Sequence, residues 1–198
     1  MKINKFLTVV DYGSKKIRLS IFDKNHKKIY STYENQISDQ NVETKSYKIN
    51  EIIRKAEKNI SDHIEEIVVL YDDPKVTAID LSIKKEFDQK IIVDENILLL
   101  VTEAKKLLQN YHDNLKIMHT IINKFLIDDK EYYQNLDKKL LGKKVIIDFK
   151  FVCIPNNKYS FIEDLFKKNS VQILNLFCTS ITKAITYQKY FKNKKSIA

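Results

Sequence analysis

Glycine and proline are scarce in this sequence, because each of them occurs only twice in 198 residues. This scarcity excludes a flexible glycine-rich or proline-rich linker, and no stretch has the biased composition of a low-complexity segment. A chain of this length is typical of one domain, or of one domain that carries an insert. Pro74 and Pro155 bracket a central stretch of the chain, which favours the second arrangement.

Arginine is almost absent, since only Arg18 and Arg54 occur among 35 basic residues. With 26 acidic residues the formal net charge is +9, but the lysines are spread along the chain and interleaved with acids. Nucleic-acid recognition favours arginine for bidentate contacts to phosphates and bases. The diffuse lysine charge therefore argues against a basic nucleic-acid-binding protein, which is kept only as an alternative.

Cysteine is also rare, and long apolar runs are missing. Cys153 and Cys178 lie in apolar stretches of a sequence without a secretion signal, which predicts buried thiols and no disulfide. No run approaches the roughly 20 apolar residues that span a bilayer. The opening MKINKFLTVV turns polar too early for a signal peptide, so we expect a cytoplasmic protein. The histidines have no metal-ligand spacing: His26, His63, His112 and His119.

The first part of the chain, residues 1–73, has the pattern of a β-β-β-α-β unit. Short apolar stretches separated by turn residues predict strands, and apolar residues at helical spacing follow a polar loop from Asn35 to Thr44. We predict strands at 5–11, 16–22, 27–33 and 66–71, and a helix from Ile49 to Ile60.

A second unit is predicted over residues 74–153, in the order strand, helix, strand, strand. Its first strand alternates in hydrophobicity, and Asp94 can cap the helix that follows. A polar loop that ends at Gly142 separates the last two strands. The predicted strands are 77–83, 118–127 and 145–151.

Residues 154–198 return to the alternation of helix and strand that ends the first part. They predict a short helix over 161–166, a buried strand over 171–178, and a last helix that includes 181–185 and leads into a lysine-rich tail. The fold class is therefore α/β (α+β).

The turn between the first two strands combines residues that suit phosphate binding. Glycine permits a close approach of the backbone to a ligand, and N–H groups around Gly13 and Ser14 can form an anion nest. The Ser14 hydroxyl can donate another hydrogen bond, and Lys16 can offset phosphate charge. Asp11 can hold Mg²⁺ through water. The alternative is an ordinary hairpin in which Asp11 accepts hydrogen bonds from turn amides.

Five stretches in this order resemble the FtsA family of bacterial cell division proteins, which belong to the actin-like ATPase superfamily. The stretch VVDYGSKKIRLSIF is similar to the opening phosphate-binding hairpin of that family. The others, in chain order, are MHTIINKFLIDD, NLDKKLLG, VIIDFKFVCIP and SVQILNLFCTSITKAI. Of the family's loop pattern, NLDKKLLG keeps only Asn135 and Gly142. The resemblance covers residues 5 to 190.

The resemblance implies a partial actin-like (ribonuclease H-like) domain. Residues 1–73 and 154–198 would form the family's subdomain 1A, and 74–153 would form its inserted subdomain 1C. It also implies that Asp11, Gly13, Ser14 and Lys16 contact ATP, with Mg²⁺ held by Asp11 through water.

The function implied by the resemblance is that of a scaffold at the inner face of the cell membrane at the division site. It would link the division ring to the membrane and recruit later division proteins, and it would self-associate through the insert. The family's second phosphate loop, adenosine site, second large domain and membrane-anchoring helix have no counterpart in the sequence. We therefore expect only indirect membrane contact, weak ATP binding and no enzymatic activity from this chain alone.

Three alternatives remain at this point. The chain could be half of an actin-superfamily small-molecule kinase, whose catalytic aspartate would lie beyond residue 198. It could be a pilus-assembly scaffold related to FtsA, or the basic nucleic-acid-binding protein considered above.

Overall fold

The computed structural model describes residues 6–36, 42–87, 91–92, 94–132 and 140–192. The chain divides into two compact units, one formed by Met1–Pro74 with Asn157–Ala198 and the other by Lys75–Asn156. The sequence placed the corresponding divisions at 74 and 153. In chain order the elements are β1 (Leu7–Tyr12), β2 (Lys16–Phe22), β3 (Lys28–Asn35), α1 (Val42–Ile60), β4 (Glu66–Tyr71), β5 (Thr77–Glu86), β6 (Ile91–Ile92), α2 (Asp94–Tyr111), β7 (Leu115–Ile127), β8 (Lys130–Tyr132), β9 (Leu140–Leu141), β10 (Lys144–Pro155), α3 (Asn156–Lys167), β11 (Gln172–Cys178) and α4 (Thr179–Lys192).

The first unit contains a five-stranded sheet in the order β11-β4-β1-β2-β3. β2 runs antiparallel to both β1 and β3, because a short turn joins it to each of them. β4 is parallel to β1, and β11 is parallel to β4, because a long connection separates each pair of strands. The sheet is therefore mixed, and the predicted α/β class is confirmed.

One face of this sheet forms the core of the first unit. Alternate residues of β1 and β2 are buried, as the period of two along a strand requires. α1 and α3 each bury apolar residues at helical spacing. The buried helix residues are Ile49, Ile52, Ile53 and Ala56 of α1, and Ile162, Leu165 and Phe166 of α3.

The inserted unit has a separate core under an antiparallel sheet in the order β5-β10-β7-β8. One side of β10 packs into a cluster with the buried side of α2. The largest buried residues on that side of β10 are Phe149 and Phe151, whose rings stack 5.6 Å apart. From α2 the cluster takes Leu100, Ala104 and Leu108.

Two predicted loops are shorter than the sequence indicated. α1 begins at Val42, whereas the sequence predicted a loop from Asn35 to Thr44. The helix start was predicted too late because the first turns of α1 bury few apolar residues. The predicted loop after residue 127 contains β8, joined to β7 by Asp128 and Asp129. Both residues have positive φ, 46° and 68°, which suits a two-residue hairpin turn. Asn135 and the end of the lysine-rich tail lie outside the described residues.

The prediction of buried thiols that form no disulfide is confirmed for both cysteines. Burial raises the pKa of Cys153 to about 11, so its thiol is protonated at neutral pH. Across the part of the chain that the structure describes, no helix has the length and apolar character to cross a membrane.

Candidate functional site

The tip of the β1–β2 hairpin is a tight connection in which the Gly13 N–H donates to the Lys16 carbonyl at 3.1 Å. Gly13 does not have positive φ. A Cβ atom at this position would instead lie 3.1 Å from the Lys16 carbonyl oxygen, closer than ordinary van der Waals contact. The glycine therefore serves a close backbone approach and not a left-handed turn.

The four predicted phosphate-binding residues are divided between two environments. Gly13 and Ser14 line a cleft of about 390 Å³ at the hairpin tip, which we call the hairpin cleft. Asp11 instead accepts a hydrogen bond from the Arg18 guanidinium at 2.9 Å. The Lys16 ammonium lies 4.6 Å from the centre of the Tyr33 ring. Successive strand residues point to opposite faces, so Asp11 and the cleft residue Tyr12 cannot share a side of the sheet.

Two carboxylates that the sequence analysis did not assign also line the hairpin cleft. Asp72 and Asp73 directly follow β4, which is parallel to β1 and hydrogen-bonded to it. The carboxyl ends of parallel strands meet at one edge of a sheet, where α/β proteins commonly bind ligands. The signal that could have found them was the Asp-Asp pair at the end of the stretch EEIVVLYDD.

Asp73 is the more buried of the two carboxylates, with 8% of its side chain exposed. It accepts a hydrogen bond from the Tyr71 hydroxyl at 2.9 Å, and the Lys158 ammonium lies 3.6 Å away. Burial and this hydrogen bond raise the pKa of Tyr71, so its hydroxyl remains a donor at neutral pH.

Asp72 connects the end of β4 to the start of α4. Its carboxylate accepts hydrogen bonds from the Ser180 N–H at 3.1 Å, the Ser180 hydroxyl at 2.8 Å and the Cys178 thiol at 3.1 Å. Burial alone would raise the pKa of Asp72, but these hydrogen bonds and the nearby Lys183 outweigh it and lower the pKa. Asp72 is therefore an ionised group placed at a helix N-terminus.

Lys45 of α1, Lys158 of α3 and Gln36 complete the polar lining of the hairpin cleft. The Lys45 ammonium lies 5.5 Å from the centre of the Phe161 ring, and Gln36 donates to the Gly13 carbonyl at 2.7 Å. The Tyr12 hydroxyl is buried and has no hydrogen-bond partner of normal geometry. Burial raises the pKa of Tyr12, and the neighbouring Gln36 side chain only partly offsets that effect.

The cleft thus offers the Lys45 ammonium group, a serine hydroxyl and a buried phenol near an exposed hairpin backbone, whereas the Lys158 ammonium already faces Asp73 at 3.6 Å. Its two carboxylates already accept hydrogen bonds from neighbouring side chains. Donors in excess of free acceptors suit an anionic ligand with several oxygen atoms, such as a phosphate group. Among the described residues there is no group of three or more histidine, cysteine or acidic side chains that could hold a metal ion.

A comparison with protein-family models and a comparison with curated proteins found no match to this sequence. Solved structures do resemble the chain. A chain of the PilM–PilN type IV pilus biogenesis complex matches 87% of this chain and 47% of its own length, at 7% identity and a TM-score of 0.56.

Two further solved structures were found at lower TM-scores. The cytoplasmic domain of EpsL, from the type II secretion system of Vibrio cholerae, has a TM-score of 0.40 and 11% identity, with 87% of this chain and 55% of that chain covered. A Bacteroides thetaiotaomicron protein with an actin-like ATPase fold and unknown function has a TM-score of 0.39 and 12% identity, with coverages of 93% and 56%. The chain spans about half the length of each of the three proteins.

The fold assignment rests on the strand order and on the pilus protein, the only one of the three with a TM-score above 0.5. The sheet of the first unit has β2 antiparallel to its two neighbours and two further strands that run parallel to β1, with the insert after β4. The actin-like fold is therefore confirmed, whereas membership of the FtsA family remains a hypothesis.

Proposed function

We propose that this chain is a scaffold protein of a bacterial cell-envelope assembly, which recruits partner proteins and does not turn over a substrate by itself. The observation that carries the proposal is the inserted unit, Lys75–Asn156, which has its own sheet, helix and buried core within an actin-like chain. Such an insert adds surface while the strands before and after it still belong to one sheet. The similar PilM–PilN chain is itself part of a biogenesis complex.

The insert would bind its partners through the side of its sheet that faces away from the α2 core. Charged side chains on that side are held by cross-strand contacts, since Lys150 lies 2.7 Å from Asp80 and Asp148 accepts from Ser82 at 2.6 Å. Half-buried Ile121 lies beside Lys150 in the ladder. Apolar side chains surrounded by ordered polar groups are typical of protein interfaces.

Nucleotide would act as a conformational ligand at the hairpin cleft. Ser14 would offer its hydroxyl to a phosphate, and Lys45 would offset the phosphate charge. Gly13 would permit a close approach of the phosphate to the backbone, since its own N–H is already donated to the Lys16 carbonyl. Asp11 would reach Mg²⁺ through water only if it released Arg18, and Lys16 would have to leave the Tyr33 ring. We infer that the remaining contacts come from a second half of the fold, because this chain matches only 47% of the length of the similar pilus protein.

Pilus assembly is the first candidate for the machine, because the chain with a TM-score above 0.5 belongs to a pilus biogenesis complex. Cell division is the second candidate. It is favoured by the resemblance of the opening hairpin and of the insert strands to the FtsA family. In either machine the chain would act at the cytoplasmic face of the membrane through protein partners.

Localisation and depletion in the native bacterium separate the two machines. A pilus scaffold should give envelope foci away from the septum, and its depletion should remove surface pili while cells divide normally. A division scaffold should form a midcell band, and its depletion should give filamentous cells. Phosphoryl transfer to a small molecule by the completed protein, or a diffuse distribution with bound nucleic acid, would contradict the scaffold proposal.

A further inference from the structure

The last strand of the five-stranded sheet, β11, is an edge that lacks the usual protection. It pairs only with β4 among the described strands. Its sequence, QILNLFC, contains no charged residue and no proline. Natural proteins normally protect edge strands with charges, proline or irregularity, since free N–H and C=O groups otherwise pair with another chain.

The other edge strands of the two larger sheets do carry charges. β3 has Lys28 and Glu34, and β8 has Lys130 and Glu131. β5 has four charged residues, Asp80, Lys84, Lys85 and Glu86. The absence of charge is therefore particular to β11 and does not follow from the composition of this lysine-rich chain.

A bulge in β11 increases the exposure of an apolar side chain. The ladder with β4 shifts register between Ile173 and Asn175, which leaves Leu174 without an opposite residue. Leu174 is 45% exposed. A bulge can prevent further strand pairing by twisting the edge strand away from a partner. This bulge instead directs a leucine to solvent, and regular pairing with β4 resumes after it.

Charges that would complement a second copy lie beside this edge. Glu163 and Lys167 of α3 line a cleft of about 500 Å³ together with Gln172 and Ile173 of β11. They are one helical turn apart, and both are exposed. A twofold axis near Ile173 would make the two α3 helices antiparallel, which places Glu163 of each copy opposite Lys167 of the other.

We propose that two copies of this chain pair through β11, antiparallel across a twofold axis, and so form one continuous ten-stranded sheet. Each copy has a single β11 edge, so this isologous pairing closes at the dimer and does not extend into a fibre. The uncharged strand imposes no like-charge repulsion on its own copy, and Leu174 of each chain lies near the axis. The pairing is independent of the proposed function.

Sedimentation velocity of the full 198-residue chain tests the proposal. From about 1 to 100 µM, where weak homodimers form, the wild-type chain should be dimeric or show a concentration-dependent dimer. Leu174→Lys should raise the dimer dissociation constant at least about tenfold, because it places two like charges near the axis. The matched control Ile29→Lys, at a residue 51% exposed on the β3 edge, should leave the dimer unchanged.

A charge exchange on α3 gives a second test that leaves β11 intact. Glu163→Lys should weaken the dimer, and Glu163→Lys with Lys167→Glu should restore it. Asp164→Lys, an equal charge change at the adjacent exposed position outside the β11 cleft, should have no effect. A monomeric wild-type chain over the whole range, equal loss with Ile29→Lys, or failure of the exchange to restore pairing would each overturn the proposal.

Discussion

Tyr12 and Tyr71 lie side by side at the carboxyl ends of two paired strands, with their ring centres 5.8 Å apart, yet only one hydroxyl is satisfied. Tyr71 donates to Asp73 at 2.9 Å, whereas the buried Tyr12 hydroxyl has no hydrogen-bond partner of normal geometry. An unsatisfied buried polar group is unfavourable, and it costs more than a normal hydrogen bond contributes. The pair therefore predicts opposite effects from one chemical change.

Tyr12→Phe should raise the free energy of unfolding by about 1 kcal/mol, because it removes an unsatisfied hydroxyl from the core. Tyr71→Phe should lower it by about 1 kcal/mol, because Asp73 loses a donor in a buried position. Urea unfolding followed by circular dichroism measures both variants against the wild type. Equal destabilisation by the two variants would show that the Tyr12 hydroxyl has a partner in solution.

Asp72 should make the first unit sensitive to acid. Its pKa is lower in the folded chain than the ordinary value of 3.8, because hydrogen bonds from Cys178 and Ser180 and the charge of Lys183 outweigh the effect of burial. The ionised carboxylate therefore favours the folded state. That contribution is fully present above pH 3.8 and is lost as the pH falls through the lower folded value.

Asp72→Asn should lower the stability at pH 7 by about 1 kcal/mol, a figure reduced for the solvent exposure of this carboxylate. It should also flatten the dependence of the melting temperature on pH below 3.8. Asp164→Asn, at an exposed position of α3, is the control for the loss of one carboxylate charge. If both variants lose stability in parallel with the wild type as the pH falls, Asp72 is not the responsible carboxylate.

Gly142 is required by packing in the inserted unit. A Cβ atom there would lie 2.2 Å from Cγ2 of the buried Ile127, a distance that no side chain tolerates without movement. Gly142→Ala should therefore destabilise the insert by about 1–3 kcal/mol. Gly13→Ala is the comparison, because its Cβ would approach only to 3.1 Å from the Lys16 carbonyl oxygen. If Gly142→Ala lowered the free energy of unfolding no more than Gly13→Ala does, β7 would be able to move and relieve the contact with Ile127.

The solvent side of the insert sheet should carry the partner surface. Reversing Lys144 and Lys150 to glutamate replaces exposed ion pairs with Asp129 and Asp80, at 3.0 and 2.7 Å, by repulsions. Exposed pairs of this kind contribute only about 0–1 kcal/mol each, so the chain should stay folded. Pull-downs from a lysate of the native bacterium should then recover less of the pilus or division proteins that the wild-type chain binds. Wild-type binding by the double variant would remove these lysines from the interface.

Strands and helices with a strong hydrophobic period were predictable from the sequence alone. β4 and β11 were predicted within one residue, because each is a short apolar run bounded by polar residues. The β7–β8 turn was missed because two aspartates with positive φ are uncommon, and β8 is only three residues long. A strand of three residues is too short for the hydrophobic pattern of the sequence to indicate it or the turn before it.

The candidate site was predictable only in part. Gly13 and Ser14, which line the hairpin cleft, were assigned from the sequence because they interrupt an apolar pattern at a hairpin tip. Asp72 was not, since its partner Ser180 lies 108 residues further along the chain and only the parallel pairing of β4 with β11 brings them together. The pairing of Asp11 with Arg18 was not predictable either, because the register between β1 and β2 decides which residue lies opposite Asp11.

The hairpin tip should act as half of a phosphate clamp, so this chain alone should bind ATP·Mg poorly. A clamp surrounds the phosphates, whereas one hairpin supplies a few donors to a ligand that is still largely in water. Such contacts contribute about 0.5–1.5 kcal/mol each. They barely offset the roughly 4–15 kcal/mol lost on immobilising a ligand. We expect a dissociation constant of about 1 mM or weaker, which corresponds to a binding free energy on the order of −4 kcal/mol.

Calorimetric titration of ATP·Mg into the 198-residue chain and into a protein completed by a second half measures this directly. Completion should restore binding, and Gly13→Val should abolish the restored binding because the new side chain blocks the approach of a phosphate to the backbone. Ser14→Ala is the matched control, since it removes one hydroxyl and should weaken the restored binding only about tenfold. Circular dichroism must show that each variant remains folded, because a side chain at position 13 also crowds the Lys16 carbonyl. Micromolar binding by the short chain would contradict the half-clamp, and indifference of the completed protein to Gly13→Val would make the tip an ordinary hairpin turn.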